Sequence, residues 1–151
     1  MDVSIVSVED LRNKDDMKER GRLCEAVVIA AHALVGWAYC GMLIGVGRQL
    51  LPMQATLVVH AIGAPVGFVV ISLFYYRRFG HTSPLQTAIA FLGIVIALDL
   101  FLVAPVIEKN YAMFTSPLGT WIPFALIFAA TYFTGRSFEV TRKRTHRCDR
   151  V

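Results

Sequence analysis

Apolar residues form long, unbroken runs in this sequence, and most of the charged residues lie between the runs. Four such runs are bounded by charged residues at Glu25 and Arg48, Arg48 and Arg77, Arg78 and Glu108, and Lys109 and Arg136. Each run provides the roughly 20 apolar residues that a helix needs to cross a hydrocarbon core of about 30 Å. Because the runs stay apolar on consecutive positions instead of alternating with polar ones, the pattern predicts transmembrane helices and not barrel strands.

Signals for helix starts set the predicted bounds. Ser83-Pro84 and Ser116-Pro117 each combine an N-cap residue with a first-turn proline, and Pro52 precedes the second run. The predicted spans are 24–47, 53–76, 84–107 and 117–135, flanked by polar tails 1–23 and 136–151. Short connections favour antiparallel neighbours, so residues 1–151 are predicted to form a single all-α domain, a four-helix transmembrane bundle with up-down-up-down topology.

The distribution of positive charge predicts the orientation of this bundle. Of the 15 Lys and Arg residues, 13 lie in the two tails or in the connection between the second and third spans. The other two connections carry only Arg48 and Lys109. Cationic segments stay on the cytoplasmic side, which predicts that both termini are cytoplasmic. The excess of Arg over Lys and the cationic tails favour a multi-pass protein of a bacterial inner (plasma) membrane.

Composition agrees with the membrane assignment and narrows the chemistry. The chain is 56% hydrophobic and 17% charged, with a mean hydropathy of +0.56, outside the usual range of soluble domains. Its three cysteines, Cys24, Cys40 and Cys148, are odd in number and widely spaced, so we interpret them as free thiols. The sequence contains no nucleophile-base pair, phosphate-binding glycine loop or metalloprotease motif.

Small residues recur on single faces of the predicted helices. Gly41 and Gly45 form a small-xxx-small pair on the first span, Gly63 and Gly67 lie on one stripe of the second, and Gly93 lies on the third. Such faces let another helix approach closely. Packing within one bundle is the favoured interpretation, and two candidate contact faces on the first span also leave room for a homo-oligomer or for other membrane subunits.

Two histidines and one aspartate, His32, His60 and Asp99, lie well inside the predicted spans, where such groups are costly and often functional. At a rise of 1.5 Å per residue, His60 and Asp99 lie about 10 and 12 Å from the outer ends of their spans, whereas His32 lies about 10 Å from a cytoplasmic end. The shared level predicts that His60 pairs with Asp99, either as a structural hydrogen bond or as a proton relay.

The sequence gives little support for a cofactor. His32 and His60 differ by roughly 10 Å in depth, too much for two ligands of one haem. A haem with one histidine ligand remains open, but no cofactor is predicted. His60 and Asp99 lack further metal ligands, and His146 with Cys148 is too small a set, so no metal site is predicted either.

The basic C-terminal tail predicts a contact with lipid headgroups. Arg142, Lys143, Arg144 and Arg147 cluster beside the predicted inner leaflet. Anionic headgroups are attracted by about 1 kcal/mol per cation in this position. We therefore expect lipid binding by the tail and no nucleic-acid partner.

In size and span number the chain resembles the small multidrug-resistance transporters, four-helix proteins that assemble as dimers. Those proteins depend on a glutamate well inside the first helix, whereas Glu25 lies at the end of the first predicted span. The resemblance therefore covers architecture only. The favoured hypothesis is a non-enzymatic accessory or assembly subunit of a membrane complex. The alternative is a small homo-oligomeric, proton-linked transporter or channel using His60 and Asp99, and a membrane-embedded enzyme ranks last because no motif supports it.

Overall fold

The computed structural model describes residues 8–80, 82–107, 109, 111–115 and 117–148, and all regular elements in this part are helical. Helix α1 is Val8–Leu50, α2 is Met53–Arg78 and α3 is Pro84–Leu98. Helix α3 continues directly into a π-helical segment, Asp99–Ile107. A short 3₁₀ turn, Ala112–Thr115, and a second π-helical segment, Pro117–Trp121, lead into α4, Ile122–Cys148.

The prediction of four apolar helices of membrane-spanning length is confirmed. The stretches that meet this criterion are Arg12–Leu50, Met53–Arg78, Pro84–Ile107 and Pro117–Thr141. Their outer faces carry large apolar side chains, such as Phe74 and Phe101, that are 71% and 75% exposed. Side chains of this kind are stable in contact with lipid, so the finding supports a membrane protein with an all-helical fold.

The first and last helices extend further than the predicted spans. Helix α1 has 43 residues, which corresponds to about 64 Å, twice the thickness of a hydrocarbon core. The described part of the N-terminal tail is therefore helical and continuous with the first span. No proline interrupts α1, and the polar residues of its first half include the good helix formers Lys, Arg and Glu. Helix α4 likewise continues well past residue 135.

The start of α3 has the predicted cap. The Ser83 hydroxyl accepts a hydrogen bond from the backbone N–H of Gln86 at 3.3 Å, and the Gln86 side-chain oxygen accepts one from the backbone N–H of Ser83 at 3.3 Å. This reciprocal pair is a capping box, with Pro84 in the first turn. Pro52 directly precedes α2, as predicted. Ser116, the predicted cap of the fourth span, lies outside the described residues.

Pro65 and Pro123 have different positions in their helices. Helix α2 runs through Pro65 without interruption. Pro123 instead lies in the first turn of α4, directly after the π-helical segment Pro117–Trp121. A proline is tolerated in a first turn because the N–H that it lacks would have no partner within the helix. The irregularity next to Pro123 is a change of helix type, from π-helix to α-helix.

The core lies where the four helices meet. Helix α1 packs against α2 and α3, and α4 packs against the same two helices. The largest fully buried side chains include Phe68 and Tyr75 of α2, Phe91 of α3 and Ile127 of α4. Phe91 meets both Phe68 and Tyr75 edge-on, with ring centroids about 6 Å apart. These aromatic rings close the centre of the bundle.

Candidate functional site

Asp99 is positioned by a change of helix type. It is the first residue of the π-helical segment that also contains Pro105. In an α-helix the Pro105 ring would collide with the carbonyl group of Phe101, four residues earlier, and the wider π-helical turn relieves this contact. Single π-helical turns inside helices occur frequently at functional sites. The segment thus sets the direction in which the Asp99 side chain leaves the helix.

The partner of Asp99 comes from α1. Trp37 donates a hydrogen bond from its indole Nε1 to Asp99 Oδ1 at 2.9 Å. The Cys40 side chain lies one turn further along α1, is buried, and interacts electrostatically with the same carboxylate. Asp99 and Trp37 are themselves only half-buried. The carboxylate therefore ties the third helix to the first.

The predicted hydrogen bond between His60 and Asp99 is not present in this structure. His60 is 6% exposed, and neither of its ring nitrogens has a hydrogen-bond partner among the described residues. The prediction was wrong on this point because depth alone does not specify the direction of a side chain. The Asp99 carboxylate instead accepts a hydrogen bond from Trp37. A functional role for His60, Asp99 and His32 stays a prediction.

Sequence reasoning missed Trp37, although a signal was available. Trp37 lies ten residues before the end of the predicted span 24–47, and Asp99 lies eight residues before the end of 84–107. At 1.5 Å per residue these depths are about 15 and 12 Å from the same membrane surface. An indole N–H in a membrane helix needs an acceptor, so the matching depth pointed to Asp99.

His32 belongs to a different part of the bundle. Its Nδ1 donates a hydrogen bond to the backbone carbonyl oxygen of Val28 at 2.7 Å. Its ring meets Tyr75 and Phe79 edge-on, with centroid distances of 5.6 and 5.8 Å. His60 lies 15 residues before Tyr75 on α2, or about 22 Å along the helix. His32 therefore does not join His60 and Asp99 in one site.

The glycines separate into two groups by what surrounds them. A β-carbon added at Gly36, Gly47, Gly63 or Gly67 would collide with a side chain of the facing helix, respectively Phe68, Thr56, Leu43 and Tyr39. These contacts show that α1 and α2 are antiparallel, since Gly36 of α1 faces Phe68 of α2 and the later Gly47 faces the earlier Thr56. Gly63 and Gly67 are thus packing residues within the chain.

Gly41, Gly45 and Gly93 form the second group. A β-carbon added at any of them would have no atom within 4 Å in the described structure. All three are exposed. The small-xxx-small pair of α1 therefore lies on the outer surface and does not pack within the bundle, which corrects the favoured interpretation for this pair.

A chain of hydroxyl groups lies where α2 connects to α3. The Thr87 hydroxyl donates to the Ser83 carbonyl oxygen at 3.2 Å, so Thr82 must donate to Thr87 at 2.7 Å and Tyr75 to Thr82 at 2.6 Å. This chain holds the ends of the two helices together. The buried Phe68 and Phe91 rings lie between it and the level of His60.

Other buried polar groups and the comparisons with known proteins identify no active site. Ser72 and Thr131 are fully buried, and their hydroxyl groups have no hydrogen-bond partner among the described residues. Within the same part of the chain, no three His, Cys, Asp or Glu side chains come together as ligands for a metal ion. Protein-family models, curated proteins and solved structures were all compared with the chain, and none matches it.

Proposed function

We propose that this protein is a non-enzymatic subunit of a membrane complex, and that the exposed small-residue face of α1 docks a helix of another subunit. The observation that carries the proposal is the open space around Gly41 and Gly45. At four other glycines of the α1–α2 contact, a side chain of the facing helix fills the space beside the glycine. Small residues in this bundle therefore mark places where helices approach closely. An unfilled small-xxx-small pair on the surface favours a further close approach from outside.

The N-terminal half of α1 supports the same proposal. Residues 12–24 of α1 are exposed throughout, and 14–20 alone includes three cationic and three acidic side chains. We define this stretch, 12–24, as the arm. Because α1 is one continuous helix, the arm and the open glycine pair belong to one rigid element. A partner can therefore contact α1 both inside and outside the membrane.

The proposal includes an arrangement in the membrane. The helices form an up-down-up-down bundle with both termini in the cytoplasm, in a bacterial inner membrane. Support comes from the short connections between helices and from the 13 of 15 cationic residues that lie in the two tails and the α2–α3 connection. The arm and the C-terminal part of α4 then lie on the same side.

Photo-crosslinking in membranes tests the docking proposal. A photoreactive amino acid replaces Ala38, which is exposed next to the glycine pair, or Phe133, an exposed residue of α4. We expect the Ala38 probe to form an adduct with a polypeptide, and the Phe133 probe to form lipid adducts only. Gly41→Leu should remove the Ala38 adduct, whereas Gly93→Leu, a glycine in equally open surroundings on α3, should keep it. Lipid adducts alone from both probes would refute the proposal.

A proton-linked transporter or channel is the second candidate, and the observation that favours it is His60. A buried histidine with two unpartnered ring nitrogens is expensive unless something else binds it, for example a water molecule or a transported ion. Against this role, the Phe68 and Phe91 rings separate His60 from the hydroxyl chain at the other end of α2. This aromatic barrier is why docking is preferred.

Proteoliposomes with an internal pH dye test the second candidate. Under a potassium diffusion potential, a proton pathway would acidify the vesicles faster than protein-free controls. Asp99→Asn and His60→Gln should each abolish that excess rate, and Asp15→Asn in the arm should not change it. Equal rates with and without the protein would exclude an unassisted proton pathway through this bundle.

A further inference from the structure

A shallow groove runs along the outer surface between α1 and α2. Its walls are formed by Ala31, His32 and Val35 of α1 and by Val70, Ile71 and Phe74 of α2, and it encloses about 340 Å³. Val35 and Phe74 are 62% and 71% exposed, so the groove opens to the surroundings of the bundle. In a membrane this opening faces lipid.

The groove wall is apolar even where it contains a histidine. The His32 Nδ1 hydrogen is used by the backbone carbonyl oxygen of Val28, one turn earlier on the same helix. The ring itself is held edge-on by Tyr75 and Phe79. His32 therefore presents mainly ring carbon to the groove, and an acyl chain can lie along it without burying an unpaired charge.

Positive charge marks one end of the groove. Arg77 and Arg78 follow Val70 by seven and eight residues on α2, so they project from the same side of the helix as Val70 and Phe74. Both are exposed and end a candidate span. Arg78 lies about 6 Å beyond Phe74 along the helix, at the depth of lipid phosphates.

The carboxylates at this end of α2 do not neutralise the two arginines. Glu25 of α1 interacts electrostatically with Tyr75 and is half-exposed. Neither Arg77 nor Arg78 makes an ion pair with a carboxylate in the described part of the structure. Glu139 of α4 interacts electrostatically with Tyr76, whose ring packs against Phe138 of α4 and so lies on the other side of α2. On the α1 side of the groove mouth, one carboxylate therefore faces two guanidinium groups, and the net positive charge complements an anionic headgroup.

From these observations we infer that the α1–α2 groove is a binding site for one anionic phospholipid, whose acyl chain lies in the groove and whose phosphate contacts Arg77 and Arg78. The residues of this site belong to α1 and α2, and it is proposed in addition to the lipid contact expected of the basic C-terminal tail. The inference rests on the proposed membrane placement but not on the proposed docking role of Gly41 and Gly45, which lie beyond the groove on α1.

Native mass spectrometry of the full chain in detergent tests the site by titration with phosphatidylglycerol and with phosphatidylcholine of identical acyl chains. We expect the first phosphatidylglycerol to bind more tightly than phosphatidylcholine. Removing both arginines, as Arg77→Gln with Arg78→Gln, should weaken the binding of phosphatidylglycerol about 30-fold and change the binding of phosphatidylcholine little. The reason is that each cation near the surface contributes about fivefold to the affinity for an anionic lipid. The matched control, Arg12→Gln with Arg136→Gln, removes the same charge elsewhere and should leave the affinity unchanged.

A second pair of variants tests the apolar part of the site. Ala31→Phe fills the groove and should weaken the binding of the first phosphatidylglycerol molecule at least about tenfold. Ala97→Phe adds the same ring at an exposed alanine of α3 and should have no effect. Equal affinity of the wild-type protein for the two lipids would overturn the inference without any variant. The inference would also be overturned if removing the arginines weakened phosphatidylglycerol binding and Ala31→Phe did not, because binding would then be electrostatic attraction to the surface alone. The photo-crosslinking result is independent of either outcome.

Discussion

The hydrogen bond from Trp37 to Asp99 links residues that lie 62 positions apart in the sequence. A charge-assisted hydrogen bond in partly buried surroundings contributes more than a neutral one at the surface. The bond also satisfies a carboxylate that α3 carries into the bundle. We therefore expect this pair to fix the packing of α1 on α3.

Replacing Trp37 by Phe tests this role. The Trp37→Phe protein loses the donor but keeps an aromatic ring, and we expect it to unfold about 1–3 kcal/mol more easily. Unfolding by SDS in mixed micelles measures the change. Trp121→Phe is the matched control: its indole donates to the Phe114 carbonyl oxygen at 2.9 Å, but the side chain is 58% exposed. A loss for Trp37→Phe no larger than that for Trp121→Phe would show that the bond to Asp99 is not structural.

The two groups of glycines give a second prediction at the scale of the residue. Gly67→Ala places a methyl group against the Tyr39 ring, and we expect a loss of about 1–3 kcal/mol in the free energy of unfolding. Gly45→Ala places the same group in open space and should leave the isolated protein within about 0.5 kcal/mol of the wild type. The same SDS titration measures both variants. Equal destabilisation by the two substitutions would contradict the assignment of Gly67 to packing and Gly45 to the surface.

Residue type and depth predicted some of these features but not others. Titratable residues inside apolar runs identified Asp99 and His60 as unusual groups. Their partners depend on the direction of each side chain, which depth along a helix does not give. The π-helical turn at Asp99 adds a further rotation that a regular periodicity cannot anticipate. Likewise, the spacing of Gly41 and Gly45 predicted a close approach without saying whether the approaching helix belongs to this chain.

Among the helices, α3 has the clearest local determinants. Its start was predictable because Ser83, Pro84 and Gln86 each act within one turn of the backbone. Its end was not, since Pro105 predicts a disturbed turn but does not predict that the helix changes to a π-helix six residues earlier, at Asp99. The continuation of α1 into the arm was also missed. Hydrophobicity marks where a helix leaves lipid, whereas helix propensity and the absence of proline decide where the helix itself ends.

Removing the cap of α3 tests the local determinant. Ser83→Ala deletes the acceptor of the Gln86 backbone N–H, and we expect a loss of about 0.5–2 kcal/mol in the free energy of unfolding. Hydrogen exchange at the first turn of α3 should become faster. Ser137→Ala is the control, because the Ser137 hydroxyl donates to the Phe133 carbonyl oxygen inside α4 and caps nothing. An unchanged exchange rate in Ser83→Ala would mean that Pro84 alone defines the start of α3.

At the scale of the whole molecule, the helices have unequal surroundings. Each of the four packs against two others, which leaves a broad outer face on every helix for lipid. Helix α1 differs because its outer face combines the open glycine pair, one wall of the α1–α2 groove and the arm. Helix α1 therefore carries most of the features that have no use inside the bundle, and Gly93 of α3 is open as well. This distribution is expected for a protein that works through what binds to its first helix.

The orientation of the molecule decides which compartment the arm enters, and thiol labelling measures it. In a Cys24→Ser, Cys148→Ser background, Cys40 is buried and should stay unreactive. Gly21→Cys then places one thiol in the exposed arm, and Lys109→Cys places one in the exposed connection after α3. Because 13 of 15 cations lie in the tails and the α2–α3 connection, the arm should be cytoplasmic. A membrane-impermeant maleimide should therefore modify Gly21→Cys only in inside-out vesicles and Lys109→Cys only in right-side-out vesicles. The reverse pattern would place the arm outside the cell. Labelling of both positions from the same side would contradict the up-down-up-down bundle, because that bundle has an odd number of spans between them.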